Sequence, residues 1–488
     1  MDAQSPENVM HLSPLDRTGT VPTHALVQLT RTAPSAWVPS RYNARARDDD
    51  GRLIVWNTFT GNISAFEPGQ AAAVEELLSQ KGFAGPLTGI RKYLHQRGYL
   101  VARGTSEVQR LQLAFGQQQY RSDSLQLILL ASEDCNFRCV YCYEDFARGT
   151  MLPEVRQGVK ALVAERAPRL RELRISWFGG EPLYGWEAIE ELAPFFLAQV
   201  REHGLQYITH MTTNAYLLTP GVAEKLLAWE IRDFQITVDG TAEDHDRKRV
   251  GRDGSGTFAT ILGNLKALRD RDDPFFVTIR VNFDRENYPN FGPFLELLHD
   301  EFAGDARFNL RFSAVGRWGG PNDAALNTCG EKESWQVKAE LQDKARAMGL
   351  QVRGSLQDIT VGSQVCYAAR PYNFIVGADG KLMKCTVALD KQDHNIVGHL
   401  TPRGELVLDD DRMALWTQPA FQNDSGCGAC HMSPTCQGMS CPLVRIERGE
   451  RPCPDTKRHL HSELVTALRD LAPTGRRVVV RPEPAAVG

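Results

Sequence analysis

The sequence predicts an α/β protein built on a parallel sheet, with a small α+β unit before it and a cysteine-rich segment after it. Three observations predict this. From residue 125 onward, short β-rich runs alternate with amphipathic stretches. Residues 41–120 show a hairpin pattern followed by apolar residues at helical spacing. Seven of the eleven cysteines fall between positions 366 and 453.

Taken in order, residues 1–40 are polar and dotted with proline, with little to bury, and read as a flexible arm. In 41–120, the runs 52–56 and 62–66 flank a Thr/Gly turn and predict a hairpin. Two short helices are expected at 68–80 and 87–97, the first carrying Val74, Leu77 and Leu78 on one face. Six β-rich runs then follow at 125–130, 173–178, 207–212, 233–238, 275–282 and 308–313, with amphipathic stretches at 186–200, 221–229 and 258–269 between them. Six βα units argue for a parallel sheet with helices outside and right-handed connections. The count alone fits a doubly wound sheet or a barrel. Residues 374–384 read as a β-hairpin turning at Asp379-Gly380. The resulting layout is an arm (1–40), a small α+β unit (41–120), a sheet domain (121–325), a cysteine-rich domain (326–472) and a disordered tail (473–488).

Composition excludes some classes. Sixty acidic and 56 basic residues give a net charge of −4, which carries no footprint of nucleic-acid binding. No apolar run approaches the roughly 20 residues of a membrane span, and the N-terminus lacks a signal-peptide pattern. A cytoplasmic protein with no nucleic-acid or membrane partner is the expectation. In that setting eleven cysteines point to metal or catalysis rather than disulfides.

The most informative stretch is Cys135-Asn-Phe-Arg-Cys139-Val-Tyr-Cys142, just after the first β run. Three thiolates on one short loop hold three corners of a [4Fe–4S] cube and leave one iron free, where a ferredoxin site takes four cysteines. A structural zinc site also takes four ligands, and no fourth lies close by. This C-x₃-C-x-aromatic-C loop resembles that of the radical SAM superfamily. The resemblance implies a partial (β/α)₆ barrel with its site at the C-terminal strand ends. It also implies a cluster on Cys135, Cys139 and Cys142 whose free iron binds S-adenosylmethionine (SAM) to generate a hydrogen-abstracting 5′-deoxyadenosyl radical. Tyr141 maps beside the adenine.

Two further segments extend the resemblance. Trp177-Phe-Gly179-Gly180-Glu181-Pro182 follows the second β run, where glycines allow close approach of backbone to a ligand. In the family this GGEP element meets the SAM amino group. Thr213-Asn214-Ala215 and Thr237-Val-Asp239-Gly240, with His245, Asp246 and Arg249, resemble the "TNG" and "SLDG…HD…R" segments. Asn214 is thereby implied near the ribose, and Thr237 and Arg249 near the SAM carboxylate, which suits the planar guanidinium fork. Ala215 departs from the expected glycine and Thr237 from serine.

Cys366-x₁₃-Gly380-x₄-Cys385, then Cys427-x₂-Cys430-x₅-Cys436-x₄-Cys441, then Cys453, could hold zinc or iron–sulfur clusters by spacing alone. The order resembles the SPASM extension of radical SAM enzymes, except that four residues rather than three separate Cys436 from Cys441. The resemblance implies two auxiliary [4Fe–4S] clusters, one on Cys427, Cys430, Cys436 and Cys453, the other on Cys366, Cys385 and Cys441. Cys329 is a fourth ligand of the second, or a spare thiol beside an open iron, or simply buried.

SPASM enzymes mostly modify ribosomally made peptides or proteins, so the implied function is an oxidative maturase installing a crosslink or thioether. Residues 41–120 loosely resemble leader-peptide recognition domains, which bind by strand addition. A precursor peptide and an electron donor such as ferredoxin or flavodoxin are the implied partners. Alternatives are a formylglycine-forming sulfatase-type maturase, a radical SAM dehydrogenase and, outside enzymes, a zinc-stabilised scaffold. Against the sulfatase type, Thr386 follows Cys385 where those enzymes place Asp, and the next carboxylate is Asp390. No general base is singled out among Tyr143, Glu144, His210, Asp239 and Tyr367.

Overall fold

A computed structural model describes residues 8–12, 36–146, 148–353, 361–389, 393–471 and 477–479. The chain divides into two compact units. One comprises Arg121–Arg353 and Pro371–Trp416, the other Met1–Tyr120, Gly354–Arg370 and Thr417–Gly488. Both units are discontinuous in sequence, and the segment 326–472 is shared between them.

In the first unit the six β-rich runs form β1 (Ser124–Ser132), β2 (Glu172–Gly179), β3 (Gln206–Thr213), β4 (Asp233–Thr237), β5 (Phe276–Phe283) and β6 (Phe308–Ala314). They pair in parallel in the order β6-β5-β4-β3-β2-β1, and β6 does not pair with β1, so the sheet stays open. Alternation explains the elements: Leu173, Ile175 and Trp177 of β2 are fully buried, while Arg174, Ser176 and Phe178 between them are only partly so. Helix Trp186–His203 buries Ile189, Leu192, Phe196 and Val200, the i, i+3, i+4 stripe of a helix lying on a core. It stops where Gly204 turns left-handed at φ +63°.

The hairpin at 374–384 forms as expected, from β7 (Asn373–Val376) and β8 (Lys381–Met383). Its placement was not foreseen. β7 pairs in parallel with β1, Asn373 opposite Gln126, and β8, β9 (Ile396–Leu400) and β10 (Leu406–Leu408) continue antiparallel, making a ten-stranded sheet. The added strand satisfies the backbone of β1, whose Leu127, Leu129 and Leu130 are fully buried.

In the second unit Leu53–Asn57 and Ile63–Phe66 form the expected hairpin, with Asn43–Arg47 as a third strand. The expected helices appear as Pro68–Ser79 and Gly89–Gln96. This region is not a separate small domain. Every residue of Leu53–Asn57 is buried. Leu53, Val55 and Phe66 pack with Val74, Leu78 and Tyr99 on one face. Ile54, Trp56 and Ile63 pack with Met432, Cys436, Leu464 and Leu468 on the other. A sheet apolar on both faces needs a cover on both, and the C-terminal helix Leu460–Leu471 supplies the second.

The terminal segments also differ from expectation where they are described. Asn8–Leu12 pairs antiparallel with Ile63–Phe66, and Arg477–Val479 pairs with Asn8–Leu12. The rest of the expected arm up to residue 35, and of the tail, lies outside the described residues, as does Asp390. Among the described residues no helix is long and apolar enough to cross a membrane.

Candidate cluster and cofactor site

The three-cysteine loop leaves the end of β1 and is braced by the segment 248–252. Arg138 N donates to Val250 O and Val140 N to Lys248 O, each at 2.9 Å, while Arg252 N donates to Asn136 O at 2.8 Å. The segment is itself anchored, because the buried Lys248 ammonium pairs with Asp284 at 2.6 Å. Within the loop Phe137 N points at Cys135 Sγ at 3.3 Å. Burial pushes all three thiols up, Cys142 to about 12, and Cys139 raises each of the other two. Arg249 works against this rise at each of them. Thiols crowded so suit a bound cation, which would supply the positive charge that thiolates need.

Arg249 is buried, not a surface charge on a loop. Its Nη1 donates to the Tyr141 hydroxyl at 2.8 Å. Its Nε is buried with no partner, an orphaned donor beside the cysteine loop, as a site lacking an anionic ligand would leave it. The Tyr141 hydroxyl also bonds Asp239 and accepts from Asn282 Nδ2 at 3.2 Å. Asp239 is fully buried and takes Asn282 N at 2.8 Å. Burial raises its pKa, with Arg249 opposing. His245 accepts from Asp239 N at 3.2 Å, and burial holds it far below the usual imidazole range, hence neutral.

The Gly-Gly turn lies close against protein backbone. A Cβ on Gly180 would stand 2.6 Å from Asp134 O, and one on Gly179 (φ +119°) would overlap Ser132 O. The close approach is thus backbone against backbone. Gly180 N and Glu181 N donate to Ser132 O and Asp134 O, each at 3.1 Å, clamping the turn onto the root of the cysteine loop. Pro182 opens the short 3₁₀ turn that follows. The Glu181 carboxylate is fully buried and faces protein donors: Leu183 N at 2.9 Å, with Thr213 Oγ1 and Asn214 N at 2.7 Å. Burial pushes it up to about 7 against those bonds. Asn214 Nδ2 donates to Asn136 Oδ1 at 2.8 Å. Thr237 ends β4, opposite Arg280 of β5.

The structure therefore gathers Tyr141, Asn214 and Arg249 around the cysteine loop, with the GGEP turn at its root. Sequence reasoning missed Asn136, Asn282 and Lys248. Asn282 had a signal, a polar residue near the C-terminal end of a barrel strand.

In the other unit Cys427, Cys430, Cys436 and Cys453 line one pocket, with Gly438, Arg451 and Lys457. Lys457 Nζ donates to Cys453 Sγ and Arg445 Nη2 to Cys427 Sγ, each at 3.6 Å. Burial pushes Cys436 up to about 12, and Cys430, Cys427 and Cys453 each add to the rise. Four thiols lining one pocket beside Arg445, Arg451 and Lys457 fit a tetrathiolate cluster. Among the described residues no three Cys, His, Asp or Glu side chains converge tightly enough to hold a lone metal ion; a cubane is wider than an ion. The extra residue after Cys436 is taken up by two successive left-handed residues, Gln437 (φ +53°) and Gly438 (φ +71°), the latter against Cys427 Sγ.

The remaining thiols are dispersed. Cys366 N donates to Met439 O at 2.9 Å, and Cys441 caps helix Pro442–Arg448. Cys385 lies in the barrel unit, its N and O both bonded to Asn395. Cys329, half-buried before helix Glu331–Ala347, is pushed up to about 11 by burial and by Glu333.

Residues 129–298 match the model of the Radical SAM superfamily, so this part of the chain is a radical SAM domain. Among curated proteins, the chain is similar to the radical SAM cyclopropyl synthase TigE of Paramaledivibacter caminithermalis, 22% identical over 40% of this chain and 44% of that one. It is also similar to the mycofactocin maturase MftC of Mycolicibacterium smegmatis, 29% identical over 28% of this chain and 31% of that one. The chain thus spans less than half the length of either relative. Among solved structures, native anSMEcpe with bound AdoMet and Cp18Cys peptide shares the fold, with a TM-score of 0.53 and 19% identity, over 72% of this chain and 98% of that one.

Proposed function

We propose that this chain is a radical SAM maturase that abstracts hydrogen from a residue of a ribosomally made peptide or protein and completes an oxidative modification such as a crosslink or thioether. The observation that carries the reading is the three-thiol loop beside buried Arg249 with its unpartnered Nε, inside a radical SAM domain. Cys135, Cys139 and Cys142 would hold the cluster, and Arg249 and Thr237 the SAM carboxylate. Bound there, cluster and SAM supply the hydrogen-abstracting radical. Tyr141, Asp239 and Asn282 fix the guanidinium, and the Gly-Gly turn fixes the root of the loop.

The four-thiol pocket supports a role for auxiliary clusters in taking the second electron, with Lys457 and Arg445 offsetting its negative charge. A further cluster on Cys366, Cys385 and Cys441 rests on the SPASM resemblance alone, with Cys329 the spare thiol that could close it. The peptide substrate follows the Cp18Cys peptide bound to anSMEcpe, which shares the fold; a ferredoxin or flavodoxin would supply the first electron.

The test is anaerobic reconstitution. Brown protein with about twelve irons per chain is expected for three cubes, with 5′-deoxyadenosine formed from SAM on reduction. Cys142→Ala should abolish SAM cleavage while leaving the C-terminal cluster loaded. Retained cleavage, or colourless zinc protein, would overturn the reading.

A further inference from the structure

One row of side chains crosses the sheet beside the cofactor site. Thr237 of β4 stands opposite Arg280 of β5, and Arg280 opposite Arg311 of β6. Beyond β6, Val352 bridges Leu310 in parallel, and Arg353 N donates to Leu310 O at 3.0 Å. Arg353 is therefore level with Arg311. Leu310 and Val352 are buried on one face, so Arg311 and Arg353 share the other. That face is the site face, because Arg280 Nε donates to Asn282 Oδ1 at 2.9 Å, and Asn282 donates to Tyr141.

Three guanidinium groups in adjacent register positions repel one another. The other arginines on barrel strands have partners: Arg174 pairs with Glu172 at 2.6 Å, and Arg280 has Asn282. The Arg311 side chain forms no hydrogen bond or ion pair among the described residues. It is open to solvent, yet burial, then Arg280 and Arg353, push its pKa down, as for a charge on the wall of a recess. Past Asp233 at the start of β4, the strand positions of β4, β5 and β6 on this face hold no carboxylate; the nearest, Asp239 just beyond β4, lies at the Arg280 end of the row and is occupied by Asn282 N and Tyr141.

We propose that Arg280, Arg311 and Arg353 form a carboxylate-binding row that seats an anionic group of the peptide substrate, an acidic side chain or the C-terminal carboxylate. At about 4.8 Å per strand, Arg311 stands about 10 Å across the sheet from Thr237. The row would hold the peptide by its charge while a neighbouring residue faces the reacting centre. Planar forks take carboxylates in two parallel bonds, which a lysine cannot reproduce.

The inference rests on the peptide-modifying reading, and its test separates the two. Anaerobically reconstituted enzyme with SAM is titrated calorimetrically with N-acetylglutamate α-amide, N-acetylglycine and the neutral N-acetylglutamine α-amide. One or both carboxylates should bind, the neutral amide at least about ten-fold more weakly. Tighter binding of the first assigns a side chain, of the second a chain end. Arg311→Gln should weaken carboxylate binding about ten-fold, with Arg311→Lys between the two. Arg353→Gln, on the exposed edge segment, repeats the test if Arg311→Gln folds poorly. Equal binding of carboxylates and amide, or carboxylate binding unmoved by the variants, overturns the row. A parallel loss of SAM affinity also overturns it, since the row would then serve SAM. Whether the wild-type protein cleaves SAM is read separately and judges only the underlying function.

Discussion

Arg249 and Tyr141, 108 residues apart in sequence, meet through a 2.8 Å hydrogen bond from Nη1 to the phenol oxygen. That bond couples the C-terminal end of helix Ala242–Lys248, which follows β4, to the cysteine loop, and Asp239 closes the triangle through the same hydroxyl. Removing the guanidinium leaves Asp239 buried without its opposing charge. Arg249→Met should therefore destabilise the metal-free protein by about 1–3 kcal/mol, as for removing the partner of a buried polar group, measured by urea unfolding. Arg249→Lys should recover only part of this, because one ammonium cannot replace the fork. An unchanged midpoint for Arg249→Met would show the network to be energetically idle.

Gly180 tolerates no side chain. The neighbour a Cβ would meet is the Asp134 carbonyl, which is backbone and cannot rotate away. Gly180→Ala should displace the root of the cysteine loop. On the proposed function, the iron assigned to Cys135, Cys139 and Cys142 should be lost, with 5′-deoxyadenosine formation, while that assigned to Cys427, Cys430, Cys436 and Cys453 should be retained. Mössbauer spectroscopy with iron counting reads the difference.

Ala215 occupies a left-handed conformation at φ +60°, where the resembling motif has glycine. The left-handed backbone costs a non-glycine residue roughly 1–2 kcal/mol, and alanine returns about 0.4–1 kcal/mol by restricting the unfolded chain. Ala215→Gly should stabilise the protein by up to about 1.6 kcal/mol, the largest difference of those terms, raising the urea midpoint. A lower midpoint would mean that the alanine methyl is better packed than its strain is costly.

Glu181 gives the fold a pH signature. Burial raises its native pKa from 4.5 to about 7, so between those values the native state holds a proton that the unfolded chain releases. Its contribution to stability is greatest below pH 4.5 and falls as pH rises to about 7. Glu181→Gln should flatten that segment of the curve of melting temperature against pH. The variant should also be less stable at low pH, because its amide presents a second donor to Asn214 N. A slope unchanged by the substitution would remove Glu181 as its source.

The barrel strands were legible because each is marked locally: alternation places Leu173, Ile175 and Trp177 on one face whatever lies nearby. The cysteine loop was legible because its ligands lie within eight residues. The Gly-Gly turn was legible as a place of close approach but not as to what approaches. Asp134 O comes from a neighbouring strand end, and nothing near Gly180 in sequence names it. The continuous run Leu53-Ile-Val-Trp56 carried a signal passed over, since a strand apolar at every position needs cover on both faces. The partner, some 400 residues later, left no local mark.

By itself the sequence determined the order of strands and helices, the three-thiol loop and the grouping of Cys427, Cys430 and Cys436, all set by neighbours along the chain. Tertiary structure alone decided that Arg249 is buried, that β7 extends the barrel sheet and that Arg280, Arg311 and Arg353 share a row. Those facts depend on pairing register and burial between distant segments, and the free energy that selects them comes from packing and desolvation spread over the whole fold.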